Sequence, residues 1–132
     1  MSAAVIRALL TAAGGIGVPD GQVQSGAPQP NPAALPALFV AELDCVPEPG
    51  RGARGEAALV TARVQVTAVS KTYDQTKTLL AAVRRACNLQ SGRIAGVDVV
   101  SVVRLHAGPD VTDAAGAFRQ SLDFGITYRE AD

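Results

Sequence analysis

The 132-residue sequence has no tryptophan, one histidine (His106) and two cysteines (Cys45 and Cys87), and its aromatic rings are limited to Phe39, Tyr73, Phe118, Phe124 and Tyr128. So few rings leave little for the stacking platforms that hold single-stranded nucleic acid. An excess of one charge is also missing. Twelve basic and twelve acidic residues cancel, which removes the basic footprint of a sequence-independent nucleic-acid binder. The cysteines form no CxxC pair, and with a single histidine a metal site would have to be built mainly from carboxylates. No metal or other cofactor is expected, and both thiols are expected in the core, where free cysteine is common. GGIGVPDG lacks the strand–turn–helix setting of a dinucleotide fingerprint, and no P-loop motif occurs. No apolar run reaches the roughly 18 residues of a membrane span. The opening MSAAVIRALLTAAGG has no basic n-region and is interrupted by Arg7, so a cytoplasmic origin is expected rather than a secretory signal.

What is present is a sequence with 48% hydrophobic and 18% charged residues, the composition of a soluble globular domain. The length suits one domain over residues 1–132 with a single core. Val5, Ile6, Leu9 and Leu10 fall on one helical face over residues 3–13, with Ser2 placed as cap and Gly14–Gly15 as stop. Residues 16–36 carry Pro19, Pro28, Pro30, Pro32 and Pro36, which predicts a wrapped loop, with room for a short strand at 16–18 or 22–24.

Two strands are predicted at 37–46 and 57–69, joined by the breaker-rich PEPGRGARGE. In the second strand Ala58, Val60, Ala62, Val64, Val66 and Ala68 alternate with Thr61, Arg63, Gln65 and Thr67, so one face belongs on a core. The pair reads as a long-looped hairpin. Directly after SKT the period changes to that of an amphipathic helix. Thr72 and Gln75 fit a capping box, Asp74 lies in the first turn and Arg84 and Arg85 in the last, each sign complementing the helix dipole. Tyr73, Thr76, Leu80, Val83 and Cys87 form its apolar stripe, flanked by Leu79 and Ala86. Two more strands follow, at 97–107 and 117–130. In the last, Phe118, Leu122, Phe124, Ile126 and Tyr128 share one face while Arg119, Ser121, Asp123, Thr127 and Arg129 share the other. The predicted fold is α+β: an antiparallel sheet of about four strands with helices packed on one face, a two-layer sandwich. Tyr73, Leu80, Val83, Phe124 and Tyr128 are its candidate core.

Catalytic candidates are few. His106, Asp110 and Asp113 could cluster, but Gly108, Pro109 and Gly116 put the carboxylates in a turn, where aspartate caps local backbone. Cys45 or Cys87 with His106 as base has no surrounding motif. Arg51 and Arg54 in GRGARGE read as a solvated hairpin tip or as an interaction loop.

Three stretches together resemble the tail-terminator, or tail-completion, proteins of long-tailed bacteriophages. They are LPALFVAEL, the junction VSKTYDQTKTLLAAVRRACN with Ser70, Tyr73, Asp74 and Gln75, and the closing DFGITYR from Asp123 to Arg129. The resemblance extends over roughly the whole chain. It implies a non-enzymatic structural protein of the virion tail, made in the bacterial cytoplasm. It further implies a homohexameric ring that caps the tail tube, contacts the major tail tube protein and the head–neck connector or stopper, and lets DNA pass without sequence-specific binding. Arg51, Arg54 and Glu56 of the hairpin tip, Asp20 and Gln22 of the early loop, and Arg119 and Arg129 of the last strand are then the candidate subunit and tube contacts. Another neck or minor tail subunit is the alternative of the same kind. A small enzyme or ligand-binding α+β domain is the alternative of another kind, and a convergent polar pocket would distinguish it.

Overall fold

The computed structural model describes residues 2–13, 23–26, 36–47, 58–112 and 116–130. Its elements are α1 (Ser2–Ala13), β1 (Val23–Ser25), β2 (Ala37–Pro47), β3 (Ala58–Ser70), α2 (Tyr73–Cys87), β4 (Gly92–Ile94), β5 (Val97–Ala107), β6 (Val111–Thr112) and β7 (Phe118–Glu130). The architecture is α+β. The sheet has seven strands in the order β1-β2-β3-β7-β5-β4, with β6 paired to β7 off that path. The expected sandwich of about four strands is corrected in count and in form. The long strands β2, β3, β7 and β5 are the four foreseen, and each pairs antiparallel with its neighbour, but β1 adds a parallel pairing and β4 and β6 extend the far side. Register shifts at Glu42/Asp44, Val99/Ser101 and Arg104/His106 bend the outer strands.

The alternation in β3 and β7 decides where the core lies. Val60, Ala62, Val64, Val66 and Ala68 of β3 pair in register with Tyr128, Ile126, Phe124, Leu122 and Gln120 of β7, so the apolar halves of both strands face the same way. That face is covered by Val5, Ile6 and Leu10 of α1 and by Leu79, Leu80, Val83 and Cys87 of α2, in one continuous buried cluster. β7, paired on both sides, is the central strand.

The stripe of α2 is the one expected, with its flank at Leu79, except at its first residue. Thr76, Leu79, Leu80, Val83 and Cys87 are buried, whereas Tyr73, placed in the core by the sequence, is 46% exposed. Tyr73 opens the first turn and lies at the rim, its ring edge-on to Phe118 at 6.2 Å and its hydroxyl donating to Asp110 Oδ2 at 3.3 Å. Ser2 lies inside α1 rather than before it, buried, and its hydroxyl has no hydrogen-bond partner among the described residues.

The strand-to-helix junction is closed by hydroxyls. Thr72 is the N-cap, its Oγ1 accepting from Gln75 N at 3.2 Å. Buried Ser70 at the end of β3 donates to Thr72 O at 2.8 Å and also bonds Thr76 Oγ1. Thr76 Oγ1 reaches Phe118 O at 3.3 Å. A strand that has just ended, a helix that has just begun and the first residue of the central strand are thus held at one point.

Candidate assembly interface

The face of the sheet opposite the helices carries a ladder of polar side chains. Across β3 and β7, Thr61 Oγ1 lies 3.3 Å from Thr127 Oγ1. Gln65 Nε2 donates to Asp123 Oδ1 at 3.2 Å and to Ser121 Oγ at 3.4 Å. Arg63 grips Asp123 Oδ2 through Nη2 at 2.7 Å and Nε at 3.2 Å. Asp123 is 3% exposed on a face whose other polar side chains are mostly half-buried, and it is held there by these charge-assisted bonds. Hydrogen bonding to Asp123, and then its charge, raise the Arg63 pKa. The ladder is structural: every carboxylate oxygen of Asp123 has a partner within the sheet. At one end of this face Ala37, Phe39, Val69 and Ala117 form a second, smaller buried cluster.

Of the contact residues expected from the sequence, Arg51, Arg54, Glu56, Asp20 and Gln22 lie outside the described residues. Arg129 Nε lies 3.5 Å from Asp98 Oδ2, both side chains about half exposed, a surface pair that contributes little to stability. Arg119, half-buried, lines a shallow cleft with Thr67, Pro109, Val111, Gln120 and Ser121. Leu80, Val83, Phe124 and Tyr128 are buried in the core.

The catalytic candidates are not brought together. Asp110 accepts from Lys77 Nζ at 2.6 Å and from the Tyr73 hydroxyl, which ties it to the start of α2, and Asp113 lies outside the described residues. The Lys77 pKa is raised, first by its hydrogen bond to Asp110. His106 is exposed on β5. Cys87 is buried, and desolvation pushes its thiol up to about 12, far from a nucleophile's range. Cys45, expected in the core, is exposed, although the register shift at Glu42/Asp44 sets it opposite Ala62 on the face that carries the core. Its Sγ lies 3.6 Å from the Tyr128 hydroxyl. Two strands, β3 and β7, separate it from His106 on β5, about 14 Å at ordinary strand spacing, so the two cannot act as nucleophile and base. Among the described residues no group of three or more His, Cys, Asp or Glu side chains could hold a metal ion, and no helix is long and apolar enough to cross a membrane. A second cleft of about 180 Å³, between α2 and β5, is lined by Lys77, Leu80, Ala81, Arg84, Arg104 and Gln120 among others. Among the described residues its lining holds no carboxylate or histidine, and Lys77 is paired with Asp110 beside it.

The outer strands are covered only in part. β1 pairs with Leu38, Phe39 and Val40 of β2 and leaves the stretch from Ala41 to Pro47 with β3 as its one described neighbour. β4 pairs with Val97, Asp98 and Val99 of β5. Beyond it, Leu89 N donates to Val102 O at 2.7 Å, Val102 N to Gln90 O at 3.1 Å, and Arg104 N to Asn88 Oδ1 at 3.0 Å. Such edges are templates for pairing with another chain.

A family model described as "Tail completion protein gp17" matches residues 3–129. Among solved structures, a chain from the virion of a native gene transfer agent (GTA) particle superposes with a TM-score of 0.74 at 18% sequence identity, covering 96% of this chain and 93% of that one. At that identity the likeness establishes a shared fold. No curated protein matches the sequence.

Proposed function

The chain belongs to the tail completion protein gp17 family, a structural protein of the virion tail, and from that premise we propose that it closes the end of the tail tube as a ring and joins the tube to the head–neck connector. The observation that carries this reading is the family match from residue 3 to residue 129. The fold partner found in a gene transfer agent virion is in keeping with a role in a phage-like particle. Its protomers would form a closed ring of like subunits, a homohexamer, with a channel for DNA.

The physical character of the chain supports a conduit rather than a DNA-binding site. Its net charge is zero, and a lumen without a surplus of cations does not hold phosphates by counterion release. Ring closure requires a heterologous contact in which two different patches of one protomer meet, and the incompletely covered β2 and β5 provide two. The major tail tube protein and the connector or stopper are the proposed axial partners, and no catalytic role is assigned. Light scattering across a concentration series, with and without purified tail tubes, tests the reading. A mass near six protomers, alone or on tubes, is expected. A single-protomer mass under both conditions, with no binding to tubes, would overturn it.

A further inference from the structure

The opposite margins of the sheet differ in charge. β2 carries Glu42 and Asp44, both exposed, and no basic residue. Asp44 faces Arg63 across the strand pair and its charge acts on that guanidinium, but the hydrogen bonds of the guanidinium go to Asp123. At the other margin Arg93 on β4, Arg104 on β5 and Arg84 at the end of α2 are exposed, and Arg84 and Arg104 line the same cleft. Of the acids described near that margin, Asp98 is engaged by Arg129 and Asp110 by Lys77, which lines the same cleft. Exposed apolar side chains are concentrated on the same two margins. Of eight large ones among the described residues, Leu43 and Val46 lie on β2, Val100, Val103 and Leu105 lie on β5, and Leu89 is hydrogen-bonded to β5. Strand margins of monomeric proteins are usually protected by charge on every exposed side or by full cover, and apolar groups gathered at a margin mark a contact surface.

We propose that neighbouring copies of this chain meet head to tail, the acidic margin of β2 in one protomer against the basic margin formed by β5 and the end of α2 in the next. The inference rests on the ring reading and names the surfaces that close the ring. Charge selects the heterologous arrangement. A two-fold contact would set Glu42 and Asp44 against their own copies, or Arg84 and Arg104 against theirs, whereas head-to-tail docking sets acid against base at every junction. β2 and β5 run in opposite directions within one protomer, as the three antiparallel pairings between them require, so the β2 of one copy meets the β5 of the next antiparallel. The outward amides of Val102 and Arg104 are already engaged. Backbone pairing is therefore confined to the end of β5, Leu105 to Ala107, and the remainder of the junction consists of side chains.

Cys45 lies on the β2 margin and is exposed, while Cys87 is buried, so a single substitution, His106→Cys, equips the opposite margin for crosslinking. Treatment with a short bismaleimide, read on a denaturing gel, is expected to give a ladder of covalent multimers extending past the dimer. Cys45→Ser in the same background is expected to abolish it. Glu42→Lys with Asp44→Lys is expected to weaken the ladder at least tenfold, and Arg104→Glu added to that variant is expected to restore part of it. Dimers formed by the natural protein through Cys45 alone would overturn the inference in favour of a two-fold contact. A ring-sized mass in light scattering of the same samples without a ladder would overturn the inference and leave the ring reading standing. A single-protomer mass with and without tubes would take down the ring reading and this inference with it.

Discussion

Leu79 and Leu80 are successive residues of α2, buried to 2% and 6% exposure in the same core, yet the same truncation should cost different amounts. Leucine to alanine removes about three methylene equivalents at ~0.8 kcal/mol each, roughly 2.4 kcal/mol in transfer alone. At Leu79, enclosed in the core, a residual void on the order of 50 Å³ at about 24 cal/mol per Å³ adds roughly 1 kcal/mol. Leu80 lines the cleft between α2 and β5, about 180 Å³, so the vacated space joins existing solvent and no sealed void forms. Leu79→Ala should therefore destabilise by about 3–4 kcal/mol and Leu80→Ala by about 2–2.5 kcal/mol. For a chain of this length that corresponds to melting shifts of roughly 10–15 °C and 6–10 °C. Denaturant unfolding followed by circular dichroism, at fixed protomer concentration and with unchanged m-values, measures both. Equal losses, or the larger loss at Leu80, would refute the argument that the cleft relieves the cavity term.

Three further expectations rest on single observations. Burial pushes the Cys87 thiol from its ordinary 9.0 up to about 12. Below pH 9 both folded and unfolded chains hold that proton; above it the unfolded chain releases it first, so stability falls progressively from pH 9 towards 12. A Cys87→Ala variant should show a shallower alkaline decline in denaturant titrations, and an unchanged slope would contradict the assignment. Ala95 and Gly96 connect β4 to β5 with φ of 52° and 77°, a two-residue hairpin in which a non-glycine residue bears strain. Ala95→Asn should raise stability by up to about 1 kcal/mol, read as a higher denaturation midpoint, and a lower midpoint would contradict it. The buried Ser2 hydroxyl has no partner among the described residues, so Ser2→Ala should be neutral or stabilising by as much as ~1 kcal/mol. A clear loss in melting temperature would show that the hydroxyl is satisfied.

The four long strands and the long helix were legible because their periods are unambiguous. The alternation from Val60 to Ala68 fixes the core face of β3, and Thr72, Asp74, Arg84 and Arg85 mark both ends of α2. Of the short strands only β1, Val23–Ser25, had a counterpart in the sequence, one of two options offered for that loop. Gly92–Ile94 and Val111–Thr112 exist through pairing with neighbours, and three residues or fewer carry no period. The turn before β5 was hidden because alanine stands where asparagine usually announces such a turn. The bulge at Glu42/Asp44 leaves Leu43 out of register with β3 and exposed, and no local residue type signals it. Arg63 and Asp123 were each assigned to polar strand faces, but their pairing depended on β7 lying beside β3, a long-range fact. Candidate contacts on the margins were missed for the same reason: Glu42, Asp44 and Arg104 become opposite margins only once the strand order is known.

The central claim is that this chain closes the tail end and joins it to the neck. Negative-stain microscopy of particles produced without the chain, before and after purified protein is added, tests it most directly. Heads and tails should be separate before addition, with bare tube ends, and joined afterwards, with a ring visible at one end of each tube. Particles already joined without the chain, or tubes left bare after its addition, would contradict the account.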